Sequence, residues 1–212
     1  ESQSIEPPGS FGVANIEVTD ASRTDIVKEA VPRRWAVRVI YPACGGGLPA
    51  DYVNGALVDV MKDEGYYGLD EAVIESWRDR TVGVKNAAPC GGALPLATLS
   101  IGLGVSGAHY SLLAERLAGE GYAVAIIDHP HGAPSILPDG TILLASADEA
   151  LARIDEDPAV LAARVADWAA DISVTLNALT SGGVEGLNID GERLAATGHS
   201  MGGAAALDAC AS

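Results

Sequence analysis

The chain has 212 residues, with 13 Lys and Arg against 29 Asp and Glu, a formal charge of −16. With 48% hydrophobic and 20% charged residues it can bury a real core, which excludes wholesale disorder. The acidity excludes the basic face that nucleic acid needs, and no apolar run reaches the roughly 18 residues of a membrane span. Ala occurs 36 times against one Phe, six Tyr and three Trp, so the core is built of small and aliphatic side chains and the Ala-rich stretches favour helix.

Residues 1–10, ESQSIEPPGS, read as a flexible lead-in and as the polar leader of a processed, exported protein, which places it outside the cytoplasm, secreted or periplasmic. From Val13 to Thr19 apolar and polar residues alternate, predicting a half-buried strand. Trp35 to Tyr41 predicts a second strand, stopped by Pro42, and the two can pair antiparallel. Residues 51–79 carry helical spacing (Val53, Leu57, Val60 and Met61, then Leu69, Val73, Ile74 and Trp77). Gly65 and Gly68 interrupt it, so two short helices are expected. A loop from Asn86 to Pro95 leads to the apolar strand 96–101. Then come a Gly102-Leu103-Gly104 turn, a helix over 110–120, a continuous apolar strand from Tyr122 to Asp128, and a long Pro/Gly loop from His129 to Leu144. Helix dominates from about Ala147 to Leu179, with a break near Asp157-Pro158. Arg193–Thr197 is a strand, and a helix follows from Met201 to Ala211. Strands alternating with helices predict an α/β domain with a mostly parallel sheet covered on both faces.

The chemistry concentrates in Gly198-His199-Ser200-Met201-Gly202-Gly203. A G-x-S-x-G sequence between a strand and a helix is the setting of a nucleophile elbow, a strained turn that pushes the serine Oγ out at the carboxyl end of the sheet. Gly198 and Gly202 are required because a Cβ at either would strike the neighbouring strand or helix. Ser200 then lies at a helix N-terminus, whose unpaired N–H groups favour negative charge. The bland alternative is a glycine-rich turn without chemistry. An attacked carbonyl also needs two oxyanion donors. Met201 supplies the first N–H by position, and Leu103, in the turn directly after strand 96–101, the second.

With these motifs in hand, the chain resembles the α/β-hydrolase superfamily, and more narrowly the platelet-activating-factor acetylhydrolase (group VII phospholipase A2) family and its bacterial relatives. The resemblance runs from GVANIEVTDASR and RWAVRVIYPA through SIGLGVSGAHYS and GEGYAVAIIDHPHGA to IDGERLAATGHSMGGAAAL. It implies that Ser200 is the nucleophile, with Leu103 and Met201 as oxyanion donors. Residues 11–212 are then the N-terminal portion of one α/β-hydrolase domain, truncated after the elbow helix, with residues 51–89 as an insertion. The sequence departs from the family in carrying Ile101 where His is frequent. The triad acid and histidine should follow the serine, yet only twelve residues do, and Asp208, on the helix leaving the elbow, is not offered as the acid.

The remaining candidates are weighed by position. His199 packs under the turn. His129 is a structural or loop-shaping residue, His131 is the candidate cleft histidine, and His109 is a surface or cap residue. Arg164, Asp167 and Asp171 are spaced as a helical surface ion-pair cluster. Tyr52, Tyr66, Tyr67 and Trp77 belong either to a helical pair packed on the core edge or to the rim through which an apolar acyl group enters. Cys44 and Cys90 sit in loops and are either free thiols or, in an exported protein, a disulfide that leaves Cys210 alone.

The expectation is therefore a serine carboxylic-ester hydrolase acting on short-acyl esters or phospholipid-like molecules, with no cofactor and no metal. It has no nucleic-acid partner and no integral membrane segment, and it touches lipid surfaces at most transiently. The chain as given should be inactive alone. The rivals are amide or lactone hydrolysis on the same scaffold, and a non-catalytic binding module or fragment that lacks acid and base.

Overall fold

A computed structural model describes residues 10–27, 30–145 and 157–211; most of the lead-in and residues 147–156 of the expected helix lie outside them. The first strand, β1 (Ser10–Thr24), forms a long antiparallel hairpin with β2 (Pro32–Ala43). The alternation in the sequence sets the register: Val13 faces Ile40, Ile16 faces Val37 and Val18 faces Trp35. Two short strands, β3 (Pro49–Asp51) and β4 (Thr81–Lys85), extend this side of the sheet, with β4 parallel to β1.

The other side is parallel. β5 (Leu94–Ser100) lies between β6 (Ala123–Asp128) and β9 (Ile189–Gly198), giving the seven-strand order β3-β4-β1-β2-β6-β5-β9. Ala123 to Ile127 are all fully buried, as a strand covered on both faces requires. The loop after β6 contains a small hairpin, β7 (Ser135–Ile136) and β8 (Ile142–Leu143), which the Pro/Gly composition had concealed.

Five α-helices are described: α1 (Gly55–Asp63), α2 (Glu71–Glu75), α3 (Ser111–Gly119), α4 (Pro158–Thr180) and α5 (Met201–Ala211). The Asp157-Pro158 break is the start of α4. Asp157 caps it by accepting the Ala159 N–H at 2.9 Å, and Pro158 occupies the first turn, where its missing N–H costs nothing. α3 packs against β2 and β6, while α4 and α5 pack on each other and on β9 and β5. No described helix is long and apolar enough to cross a membrane.

Residues 53–77 form a core of their own from Val58, Met61, Tyr66, Ile74 and Trp77, closed by Ala108 of the neighbouring loop. Asn54 and Asp70 cap its two helices, and Gly65, in the left-handed region at φ +62°, turns the chain after the first. A Cys44–Cys90 disulfide, with Cα atoms 5.0 Å apart, joins the ends of the loops that flank this segment, and Cys210 is free and exposed.

Candidate active site

β9 ends at Gly198 and α5 begins at Met201, so the turn between them holds only His199 and Ser200. Ser200 is exposed and has φ +54°, a conformation that costs a non-glycine residue on the order of 1–3 kcal/mol. Both glycines are needed by contact. A Cβ on Gly198 would strike the Gly202 carbonyl, and one on Gly202 would strike the Ile101 carbonyl. The His199 N–H donates to the Ser100 carbonyl at 3.1 Å, pinning the turn to the end of β5.

The chain leaving β5 makes a tight turn closed by the Val105 N–H on the Gly102 carbonyl (3.0 Å), with Gly104 at φ +82°. The Gly104 N–H donates to the Gly132 carbonyl, tying this turn to the loop after β6. Leu103 and Met201 line one recess of about 10 Å³, on the order of a single oxygen atom's requirement, together with Pro130, His131 and Trp168. Among the described residues neither the Leu103 N–H nor the Met201 N–H has an acceptor.

The histidines are placed as follows. His131 reaches the recess, but its ring is held: Nε2 lies 3.0 Å from Asp25 Oδ2 and Nδ1 lies 3.0 Å from the Leu144 carbonyl. His109 stacks on Tyr66 and meets Trp77 edge-on. His199 Nδ1 lies 3.0 Å from the Tyr110 hydroxyl. His129 is fully buried, stacked on Trp168, with Nε2 on the Ser100 hydroxyl and Nδ1 on Asp171. The described structure thus brings Ser200, Leu103 and Met201 to one sheet edge but sets no histidine nitrogen against Ser200 Oγ.

One expectation is corrected. Asp171 is not on a surface. It is completely buried, and it accepts from Arg33 Nε (2.8 Å), Arg33 Nη2 (2.7 Å) and Arg23 Nη2 (2.7 Å). Burial alone pushes its carboxyl up, but hydrogen bonds from Arg33 and His129 outweigh that and hold it at about 2. The missed signal was periodicity, since Trp168, Asp171, Ile172, Thr175 and Leu179 form one buried stripe of α4. Burial pushes the His129 imidazole below its ordinary value. With Asp171 ionised and accepting at Nδ1, Nε2 is the acceptor and the Ser100 hydroxyl donates.

The residues of the 51–79 segment reach the same edge. The Ser106 N–H donates to the Tyr66 hydroxyl at 2.9 Å, and the exposed Tyr67 lies against Gly104. Beside it a cavity of about 310 Å³ is walled by Arg38, Tyr52, Lys85 and Asp128. Burial pushes the Asp128 carboxyl up to about 6, against the Gly107 N–H and Arg38, which pull it down. Among the described residues no group of three or more His, Cys, Asp and Glu could hold a metal ion.

Among the solved structures similar to this chain, two are described. A ferulic acid esterase from Streptomyces cinnamoneus matches at 32% identity with a TM-score of 0.79, over 99% of this chain and 57% of its own length. A dienelactone hydrolase-like promiscuous phosphotriesterase from metagenomic libraries matches at 17% identity with a TM-score of 0.45, over 95% of this chain and 54% of its own length. No family model and no curated protein matches the chain. The chain spans little more than half the length of these solved neighbours. Taken with the sheet order and the strand–turn–helix at Ser200, the similarity to the esterase establishes that this chain has the α/β-hydrolase fold.

Proposed function

We propose that the protein is a serine carboxylic-ester hydrolase with Ser200 as nucleophile. The observation that carries this is a strained, exposed Ser200 next to Met201, which lines one recess together with Leu103, the backbone N–H groups of both residues having no acceptor among the described residues. Ser200 Oγ attacks the ester carbonyl. The carbonyl oxygen, now an anion, is taken by the two N–H groups and by the N-terminus of α5. Backbone donors suit this task because the sheet and helix fix them before the reaction begins. A histidine oriented by a carboxylate takes the serine proton and returns it to the leaving alcohol. None of the four histidines here does so, because His129 and His131 are held at both nitrogens, His199 is exposed rather than packed under the turn, with Nδ1 on the Tyr110 hydroxyl, and His109 stands with Tyr52, Tyr66 and Trp77.

The fold likeness to a ferulic acid esterase supports ester hydrolysis over amide hydrolysis. The narrower kinship with platelet-activating-factor acetylhydrolases rests on the sequence motifs, and with it the short-acyl or phospholipid-like substrate and transient lipid contact. The Cys44–Cys90 disulfide supports an oxidising compartment, hence a secreted or periplasmic enzyme. A fluorophosphonate probe tests the reading. Label is expected on Ser200 of the natural full-length product and absent from Ser200→Ala; label on Ser100, Ser106 or Ser111 overturns it.

A further inference from the structure

Tyr110 ends a short 3-10 turn (Gly107–Tyr110) just before α3, and its side chain reaches back to the elbow. The Gly102 N–H donates to its hydroxyl oxygen at 3.0 Å, and the same oxygen lies 3.0 Å from His199 Nδ1. Gly102 packs directly under that ring, because a Cβ built on it would come 2.6 Å from His199 Nδ1. One hydroxyl therefore joins the two backbone segments that supply the oxyanion donors. Leu103 follows Gly102, and Met201 comes two residues after His199. Burial pushes the Tyr110 phenol up, so it keeps its proton and can donate to Nδ1 while a lone pair accepts from Gly102.

We propose that Tyr110 is a positioning residue that sets the spacing of the Leu103 and Met201 N–H groups by bridging Gly102 to His199. This rests on the reading of Ser200 as nucleophile. By taking the Gly102 N–H, the hydroxyl leaves the next amide, Leu103, as the free donor of its turn. By holding His199 through Nδ1, it keeps the imidazole in the Nε2–H tautomer and fixes the approach to Ser200. Tyr110 acts on substrate only through these two segments. An oxyanion pocket has little tolerance for slack, because a misplacement of about 1 Å is worth on the order of 10²-fold in rate.

The test uses the natural full-length enzyme with p-nitrophenyl acetate and the variants Tyr110→Phe, His199→Leu and the double. Each single variant should lower kcat on the order of tenfold to 10²-fold with KM within about twofold of the parent. The double should be no worse than the worse single, because both remove one bridge. His199→Leu breaks it from the other side, so the outcome does not depend on one variant folding. The ¹⁵N resonance of His199 Nδ1 should move toward that of a free acceptor in Tyr110→Phe, a readout independent of turnover. An unchanged kcat, a raised KM with kcat kept, or additive losses in the double overturns the bridge. An unlabelled Ser200 in the parent overturns the function itself, while label on Ser200 with an unchanged kcat in the variants overturns only the bridge.

Discussion

The Ser100 hydroxyl lies 2.6 Å from His129 Nε2, and the far nitrogen of that ring lies 2.8 Å from Asp171, a serine–histidine–aspartate chain complete in its hydrogen bonds. All three residues are fully buried, so no substrate reaches the hydroxyl. The chain ties the ends of β5 and β6 to α4. Ser100→Ala leaves a buried imidazole nitrogen without its donor and should cost about 1–3 kcal/mol of stability. Thermal denaturation measures this, and phosphonate labelling at Ser200 should be unaffected.

Asp171 is the anchor of that network, holding two arginines as well as His129. Asp171→Asn removes the charge that compensates Arg33, itself 1% exposed, and should cost about 3–5 kcal/mol, the usual penalty for breaking a buried ion pair from one side. The wild-type contribution follows from the depressed carboxyl. It is present above the unfolded value near 4 and lost as pH falls through about 2. Urea denaturation of wild type and variant should therefore converge toward pH 2 and diverge above pH 4.

Asp128 has the opposite sign. Its folded value is raised to about 6, so ionising it opposes folding, and stability is lost as pH rises from near 4 through 6. Asp128→Asn keeps an oxygen for the Gly107 N–H but takes no charge. It should raise the melting temperature at pH 7 and change it little at pH 4. A lower melting temperature at pH 7 would show that the Arg38 attraction outweighs burial.

Gly202→Ala should disable the elbow outright. The added methyl meets the backbone carbonyls of Ile101 and Ser100, with no flexible side chain to yield, so the turn must shift. Overpacking of this kind costs typically about 1–3 kcal/mol. Phosphonate labelling at Ser200 should fall to background even in material that remains folded by circular dichroism.

The disulfide closes a loop with a sequence separation of 46. On the chain-entropy model a loop of that size is worth about 4 kcal/mol. Reductant should lower the melting temperature, and Cys44→Ser/Cys90→Ser should match the reduced protein. An intact mass that does not rise by two hydrogens on reduction would show that the bond is absent.

Much of this architecture is legible in the residues because local pattern and burial coincide there. The alternation at 13–19, the apolar run at 122–128 and the glycines around Ser200 each satisfy a requirement visible within a few positions. The β3–β4 pair is not legible in this way because Pro49–Asp51 and Thr81–Lys85 are short, carry Pro49 and Gly83, and find each other only across the intervening helices. Asp171 is not legible in this way because an aspartate beside helical partners reads as surface, while its real partners, Arg23 on β1 and Arg33 on β2, lie 148 and 138 positions away. The role of Tyr110 is invisible in the same way, since His199 is 89 residues distant.

The segment between Tyr52 and Trp77 has its own small core, and it meets the turn after β5 through Tyr66 on Ser106 and Tyr67 beside Gly104. Residues on its outer surface, such as Leu69 and Val73, are exposed and lie away from the two contacts with that turn. On the function proposed above, this segment would serve as an interchangeable faceplate, and selection for a new ester is expected to act there first.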